Sequence, residues 1–383
     1  MTGPSPAPAR TEAGSVPVLE ARGLTKHFRA VISSTRSART DTSAARRFAD
    51  RRAVVHAVDD VWLALPAAGI TAIVGESGSG KSTLAKLLAR LIRPTAGSVL
   101  LDGRLMPGSA RVSRDYARNV QLVLQDPFAS LNPVHDVRYH LARPLKLHSQ
   151  AIPGVARDLD QAVASLLERV ALTPTEQFAS KYPHELSGGQ RQRVAIARAL
   201  AVAPRVLLAD EPVSMLDVSI RLGVLNLLAD LREREGLAVA YVTHDIASAR
   251  YLADEIAVMY AGRIVESGPA AALTAEPAHP YTQLLLSAAP DPDRANAPSL
   301  RGRGAPPNLI TPPPGCRFHP RCPHAMRICA EREPKLTSVG AGQSSACWLH
   351  EPGLDHAERA ALNSGAAPRP APSASPPQPG KET

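Results

Sequence analysis

Eight residues from Gly75 to Ser82, Gly-Glu-Ser-Gly-Ser-Gly-Lys-Ser, match the G-x-x-x-x-G-K-[ST] pattern of a phosphate-binding loop, or P-loop. Glycines let backbone N–H groups face phosphate oxygens, and the helix expected over 83–92 adds partial positive charge. The apolar run 70–74 supplies the preceding strand. We expect Lys81 to reach the β- and γ-phosphates of ATP or GTP, and the Ser82 hydroxyl to bind Mg²⁺. The predicted nucleotide contacts of this loop are Gly75, Glu76, Ser77, Gly78, Ser79, Gly80, Lys81, Ser82 and Thr83.

Further polar residues follow apolar, strand-like runs, where the ends of parallel strands place functional groups. The acidic pair Asp210 and Glu211 follows one such run, and His244 follows another. Gln125 and the segment 186–190, Leu-Ser-Gly-Gly-Gln, lie between the P-loop and the acidic pair. The serine and glycines of this segment can open a helix, so they form a second cradle for an anion.

In their order and spacing, these motifs resemble the ATP-binding-cassette (ABC) family, over about residues 17–350. The resemblance implies that Asp210 holds Mg²⁺ through water and that Glu211 polarises the attacking water. It implies that His244 contacts the γ-phosphate and orients this water. Gln125 is implied to sense Mg²⁺ and water, and to begin the surface that contacts membrane subunits. Catalysis would then rest on positioning and electrostatics.

The same resemblance implies a head-to-tail dimer, because the P-loop of one subunit faces the signature segment of the other. The signature residues that would contact the partner's nucleotide are Ser187, Gly188, Gly189 and Gln190. Asp217 would cross the dimer interface, next to Met215, which stands where the family has a small residue. Phe28 is implied to stack on adenine.

Alternating strand-like and helical runs predict an α/β fold with a doubly wound sheet. The resemblance implies an ABC-type P-loop core: a RecA-like sheet, a helical subdomain and an antiparallel β subdomain. We expect this core over 17–270, with a polar insertion at 30–53, and a C-terminal extension over 271–350. Residues 1–16 and 351–383 are expected to be disordered. One apolar stripe at helical spacing predicts a packing face: Val155, Leu159, Val163, Leu166, Leu167 and Val170.

Composition limits the location and the partners. The 383 residues carry a net charge of +9, and 4% of them are aromatic. With no recognition motif for nucleic acid, we interpret the charge as a solvated surface; contact with anionic headgroups is the alternative. The sequence has no secretory signal and no apolar run of 18 residues. We therefore expect a cytoplasmic protein, and the resemblance to the ABC family implies a peripheral position at the cytoplasmic face of the inner membrane.

All four cysteines, Cys316, Cys322, Cys329 and Cys347, lie within one short segment of low apolar content. Their spacing lacks the C-x2-C knuckles typical of structural zinc. Together with the motif His279-Pro280-Tyr281, they resemble the C-terminal extension of ATPases from peptide and nickel importers, in which such cysteines are linked to a [4Fe–4S] cluster in some members. We expect an iron–sulfur cluster, with zinc or unligated thiols as alternatives. We also expect the P-loop to belong to a core separate from this segment.

The resemblance implies the ATPase subunit of an ABC importer of di- or oligopeptides. Its partners would be a second ATPase subunit, identical or similar, two membrane permeases and, indirectly, an extracytoplasmic binding protein. A nickel or other small-solute importer of the same family and an ABC exporter are alternatives. A soluble ABC protein acting on ribosomes or DNA is disfavoured, because the chain has neither two cassettes nor a long coiled coil.

Overall fold

The computed structural model of the chain describes residues 16–31, 52–106, 113–149, 158–288, 304–305 and 307–351. The predicted disordered segments before residue 16 and after residue 351, and residues 32–51 of the predicted insertion, lie outside this description. The strands are β1 (Leu19–Val31), β2 (Arg52–Leu65), β3 (Ile70–Val74), β4 (Ala96–Leu101), β5 (Arg104–Leu105), β6 (Val120–Val123), β7 (Val206–Asp210), β8 (Ala238–Thr243), β9 (Glu255–Tyr260), β10 (Arg263–Pro269), β11 (Thr337–Gly340) and β12 (Gln343–Ser345). The helices are α1 (Lys81–Leu88), α2 (Arg114–Asn119), α3 (Pro127–Ser130), α4 (Val137–Leu147), α5 (Leu159–Arg169), α6 (Thr175–Ala179), α7 (Gly188–Leu200), α8 (Val218–Glu235), α9 (Ile246–Leu252), α10 (Ala270–Ala275), α11 (Pro280–Ala288) and α12 (Arg327–Glu331).

The larger sheet has eight strands in the described residues, in the order β11-β12-β10-β9-β3-β8-β7-β6. Strands β9, β3, β8, β7 and β6 are parallel, and β10 pairs antiparallel with β9. The central strands β3, β7 and β8 are buried at every position, which explains their continuous apolar sequences. Ile70, Ala72 and Val74 pack into one core and Ile73 into the other, on opposite faces of the sheet. The predicted doubly wound α/β core is confirmed.

The smaller sheet is antiparallel, with the order β2-β1-β4-β5. It shares one apolar core with α1, because Val58, Val61 and Leu63 of β2 pack in the same cluster as Leu84 and Leu87 of α1. This arrangement places the β1 and β2 residues beside the helix that follows the P-loop.

Helices α3 to α7 lie in sequence between the Gln125 segment and β7. The predicted apolar stripe is on α5, whose N-cap Asp158 accepts a hydrogen bond from the backbone of the first turn. Val163, Leu166 and Leu167 are buried and pack with α4 and α7 residues in one core. Val155, the first residue of the stripe, lies outside the described residues. The helix is therefore held by the packing face that its sequence predicts.

The C-terminal extension is not separate from the nucleotide core, contrary to the expectation from sequence. Strand β12 pairs with β10 through Glu266 opposite Ser345 and Ser267 opposite Ser344, so β11 and β12 extend the larger sheet. Phe318 is 1% exposed and belongs to the main apolar core. The expectation was wrong because low apolar content along the segment does not reveal the few side chains that pack inward. No helix in the described ranges is long and apolar enough to cross a bilayer.

Candidate functional site

Two P-loop glycines are required because the loop lies directly on neighbouring backbone. A Cβ atom on Gly75 would lie 2.1 Å from the carbonyl oxygen of Met259 in β9. Gly80 has a φ of +106°, and its Cβ would lie 2.2 Å from the carbonyl oxygen of Ala57 in β2. Any side chain at either position would displace the loop from the two strands below it. These glycines therefore fix the loop against the sheets.

Lys81 is held inside the curve of the P-loop. Its Nζ donates hydrogen bonds to the carbonyl oxygens of Gly75 at 2.7 Å and Glu76 at 2.9 Å, and the residue is 4% exposed. Burial lowers the pKa of Lys81, and the nearby carboxylates of Glu211 and Asp210 oppose this shift. A buried cation at the mouth of a loop of N–H groups is suited to bind phosphate oxygens.

A hydroxyl and a carboxylate meet where the sequence predicts Mg²⁺. The Ser82 Oγ donates to Asp210 Oδ1 at 3.0 Å. Burial raises the pKa of Asp210, while the Ser82 hydrogen bond lowers it. These two oxygens are of the ligand type that Mg²⁺ prefers, and a buried carboxylate gains from a nearby cation. Ser82 and Asp210 therefore fit a Mg²⁺ bound together with nucleotide phosphates.

The three predicted catalytic side chains converge beyond the end of β7. The amide of Gln125 donates to Glu211 Oε2 at 3.2 Å, and His244 Nδ1 lies 3.3 Å from the same oxygen. Glu211 has a left-handed backbone with φ of +46°, and its N–H donates to the carbonyl oxygen of Val242 at 2.9 Å. Such a conformation is costly for a non-glycine residue and is often found at functional sites. A carboxylate so placed can orient water beside the P-loop.

The signature segment 186–190 stands apart from this group. Ser187 caps α7: its Oγ accepts the Gln190 N–H at 3.3 Å, and the Ser187 N–H donates to Gln190 Oε1 at 2.9 Å. A Cβ on Gly189 would lie 2.3 Å from Ile220 of α8. In the described part of the chain, no hydrogen bond joins this segment to the P-loop. The chain alone thus presents two separate anion cradles.

Two further predicted site residues lie on the surface. Phe28 on β1 is 39% exposed, and the Lys26 ammonium stands 5.1 Å from its ring centroid. An exposed aromatic ring can stack on a base. Asp217 is the N-cap residue of α8, with no capping hydrogen bond from its side chain. Met215, which departs from the family pattern, is 60% exposed.

The four cysteines form one group of free thiols. Burial raises the pKa of Cys316 to about 11, and that of Cys322 and Cys347 to about 12. Neighbouring thiols raise these pKa values further, and each of the other three cysteines raises the pKa of Cys347. The four thiols are therefore near enough in space to interact, as a shared metal would require.

Sequence analysis missed two residues that touch the P-loop from the extension. The Tyr281 hydroxyl accepts the Glu76 N–H at 2.8 Å, and the Arg321 guanidinium pairs with the Glu76 carboxylate. The His279-Pro280-Tyr281 motif was a usable signal for Tyr281. Nothing in the pattern around Arg321 indicates a buried contact, because the arginine stands in a segment without periodicity.

A second cluster contains side chains of the types that bind metals, but its one carboxylate is already paired with arginines. His27, His56 and Asp59 bring their ligand atoms within 4.8 Å of one another. However, Arg263 and Arg317 both pair with the Asp59 carboxylate. Burial raises the pKa of Asp59, but the two arginines outweigh it, so the pKa lies below its ordinary value. Because the carboxylate is already neutralised, we assign no metal here.

The P-loop on a parallel strand, the Ser82–Asp210 pair and the Glu211 group define the class of P-loop nucleotide hydrolases. Residues 58–214 match the family described as ABC transporter, and residues 265–329 match the family described as oligopeptide/dipeptide transporter, C-terminal region. The chain is 44% identical, over 82% of its length and 89% of the relative's, to a probable peptide ABC transporter ATP-binding protein of Sinorhizobium fredii. It is 41% identical, over 83% of its length and 94% of the relative's, to a di/tripeptide transport ATP-binding protein of Pseudomonas aeruginosa.

Solved structures give the same result for the fold. The cassette cbiO1 of Clostridium perfringens, part of an ABC transporter complex, superposes with a TM-score of 0.55 at 25% identity, over 68% of this chain and 92% of that one. A dimeric ATP-binding cassette bound to ADP and Pi superposes with a TM-score of 0.52 at 28% identity, over 66% and 98%. The chain belongs to the family of ABC transporter ATP-binding proteins, and it is an ATPase of that family.

Proposed function

We propose that this chain energises the import of di- or oligopeptides by hydrolysing ATP at the cytoplasmic face of the membrane. The observation that carries the proposal is the direct contact between a complete set of P-loop ATPase groups and an oligopeptide/dipeptide-type C-terminal region in one chain. The relatives named for peptide transport support the choice of substrate.

In this proposal, the P-loop residues 75–83 bind the phosphates and Phe28 stacks on adenine. Glu211 polarises the attacking water, and Gln125 and His244, which share its Oε2, hold the carboxylate and the water in line. When bound, Mg²⁺ at Ser82 and Asp210 would neutralise phosphate charge. The protein's own contribution is then orientation and electrostatic stabilisation of the γ-phosphate.

We propose that a second ATPase subunit completes each site. The separation of the signature segment from the P-loop supports this, because one chain supplies only one cradle to each nucleotide. Exposed apolar side chains beside the signature and Asp217 provide a surface for such a partner: Met215 at 60%, Val218 at 80% and Leu222 at 48% exposed. Burying them on dimer formation would favour association.

A groove in the helical region offers a site for a permease segment. The groove has a volume of about 310 Å³. Most of its lining residues follow shortly after Gln125 in the sequence. Its lining combines aromatic and basic side chains: His135, Arg138, Tyr139, Arg143, Lys146 and Tyr182. We propose that it receives a short, acidic cytoplasmic helix of the permease, because cations exceed anions in the lining.

We further propose that the four cysteines hold one [4Fe–4S] cluster. The thiol of Cys347 interacts with those of the other three cysteines, as a group that binds one metal centre would. A [4Fe–4S] cluster takes four thiolates, one on each iron. Zinc and free thiols are the alternatives that metal analysis separates.

The proposal is tested with the chain reconstituted in vesicles with its permeases, partner ATPase and binding protein. We expect ATP-dependent uptake of labelled di- and oligopeptides, and ATPase activity stimulated by peptide-loaded binding protein. Uptake of nickel instead would select the small-solute importer, and outward transport would select an exporter. ATP turnover stimulated by RNA or DNA, without any permease, would favour the non-transport alternative.

A further inference from the structure

A short segment of the extension, residues 316–322, contacts the P-loop. Within it, Arg321 forms a two-pronged ion pair with Glu76: Nη1 lies 2.7 Å from Oε2, and Nη2 lies 2.9 Å from Oε1. The Arg321 residue is 8% exposed. Paired, charge-assisted hydrogen bonds of this kind are strong and geometrically specific, so they fix the position of the loop as well as attract it.

An aromatic cluster holds Arg321 in place. Tyr260, Tyr281 and Phe318 are each at most 2% exposed, with ring centroids 4.5 to 5.4 Å apart. The guanidinium carbon lies 5.8 Å from the Tyr260 ring centroid and 5.9 Å from that of Phe318. The Tyr281 hydroxyl from this cluster also accepts the Glu76 N–H. Both the backbone and the side chain of Glu76 are therefore bound to the extension.

The same segment reaches the other end of the P-loop through a second arginine. Arg317 donates to the Ala261 carbonyl oxygen and pairs with Asp59 of β2. The next residue, Gly262, donates its N–H to the Ser79 carbonyl oxygen at 2.8 Å and accepts the Asp59 N–H at 2.9 Å. The loop is thus braced directly at Glu76 and, through Gly262, at Ser79.

The two arginines lie between two of the four cysteines. Cys316 is anchored to the rest of the extension, since its N–H donates to the Cys329 carbonyl oxygen at 2.8 Å. The Cys322 N–H donates to the His319 carbonyl oxygen at 3.2 Å, and the His319 ring contacts the Cys316 carbonyl oxygen at 2.8 Å. Hydrogen bonds of Cys316 and Cys322 therefore fix the two ends of the segment.

We propose that segment 316–322 positions the P-loop for nucleotide, and that Arg321 is a positioning residue of the ATP site. The inference rests on the nucleotide role proposed above for residues 75–83, and on no assumption about the transported solute. A segment that only stabilised the fold would lower the melting temperature and leave nucleotide affinity unchanged at temperatures well below unfolding.

The test is equilibrium titration of the full-length chain with a fluorescent ATP analogue and Mg²⁺. We expect R321M and E76Q each to raise the Kd about tenfold, the scale of losing a charged hydrogen-bonded pair. R321K, which retains the charge but not the two-pronged geometry, should give an intermediate Kd. The matched control is R327M, because Arg327 is paired with Glu331 on the exposed surface of the same extension.

The double variant R321M/E76Q separates a direct effect from general damage. If the pair acts on the P-loop, the double variant should bind no more weakly than either single variant. Additive losses, or single-variant Kd values within twofold of wild type, would overturn the inference. Should R321M fail to fold, E76Q and R321K carry the test. Wild-type chain that binds no nucleotide would refute the nucleotide function itself, and this inference with it.

Discussion

The nucleotide site and the cysteine-bearing extension are built in opposite ways. The predicted nucleotide groups Lys81, Asp210, Glu211 and His244 each lie at or shortly after the end of a buried strand of a regular parallel sheet, and each belongs to a short motif. The extension has short helices and one strand pair that joins the sheet edge, and its contacts with the P-loop come from single side chains such as Arg321. A regular sheet brings distant motifs together at one edge, whereas an irregular segment must be held by specific polar contacts and, in our proposal, by a metal.

The two regions differ in construction, but both contact the P-loop. Lys81 bonds to the loop from within its curve, and the extension contacts the loop at Glu76. Changes in the first region should therefore abolish chemistry, while changes in the second should alter affinity and stability.

The largest effect is expected from Glu211→Gln, which alters the first region alone. The amide cannot polarise water as a carboxylate does, so hydrolysis should fall by ~10²-fold or more. ATP binding should persist, because Lys81 and Ser82 are unchanged. Measurement of phosphate release and nucleotide affinity in parallel decides the outcome. A rate within about threefold of wild type would show that Glu211 is not the catalytic carboxylate.

A second prediction concerns the nucleotide site of a single chain, which in our proposal lacks the signature segment of a partner subunit. Turnover per chain should fall steeply on dilution and rise when the partner ATPase and permeases are added, because the signature segment must come from another subunit. Activity is measured across a dilution series, with the mass of the complex determined at each concentration. Undiminished turnover by a proven monomer would contradict the composite site.

Cys322→Ser tests the second region. The anaerobically purified wild type should be brown, with absorbance near ~400 nm and acid-labile sulfide, and the variant should lack both. The variant should also melt at a lower temperature and bind ATP a few-fold more weakly, because Cys322 ends the segment that braces the P-loop. Stoichiometric zinc in the wild type would replace the cluster by a zinc site, and absence of metal would leave four thiols.

The smallest effect is expected from a buried histidine at the junction of the two regions. Burial, with a contribution from His350, lowers the pKa of His279 from 6.5 to about 3. Between these values the unfolded chain binds a proton that the folded chain excludes. The free energy of unfolding should therefore decrease as pH falls below 6.5, by up to ~1.4 kcal/mol per pH unit. Above pH 6.5 both states are neutral, and this contribution to the slope vanishes.

His279→Asn should reduce that slope, because an asparagine side chain binds no proton in this pH range in either state. Its oxygen can still accept the Tyr281 N–H that now bonds His279 Nδ1 at 3.0 Å, so the local contact is kept. Urea unfolding at pH 7.0, 6.0 and 5.5 measures the difference. His184→Gln, at an exposed position, is the control and should retain the wild-type slope. Equal slopes for wild type and His279→Asn would contradict the assignment of a neutral buried imidazole.

The sequence by itself determined the doubly wound core and the P-loop motif, and it predicted most of the side chains that the fold brings together there. Continuous apolar runs such as 206–209 can be satisfied only in a sheet covered on both faces, and polar residues at their ends must then meet at one edge. Local rules also predicted the α5 packing face, because a 3.6-residue period is visible along the chain.

Only the tertiary structure decided that the extension contacts the P-loop. The pairing of β12 with β10, the burial of Phe318 and the contact of Arg321 with Glu76 join residues that are distant in sequence and follow no period. An arginine between two cysteines is as compatible with solvent as with an ion pair. Its partner is set by where the folded sheet places the P-loop, about 245 positions earlier in the chain.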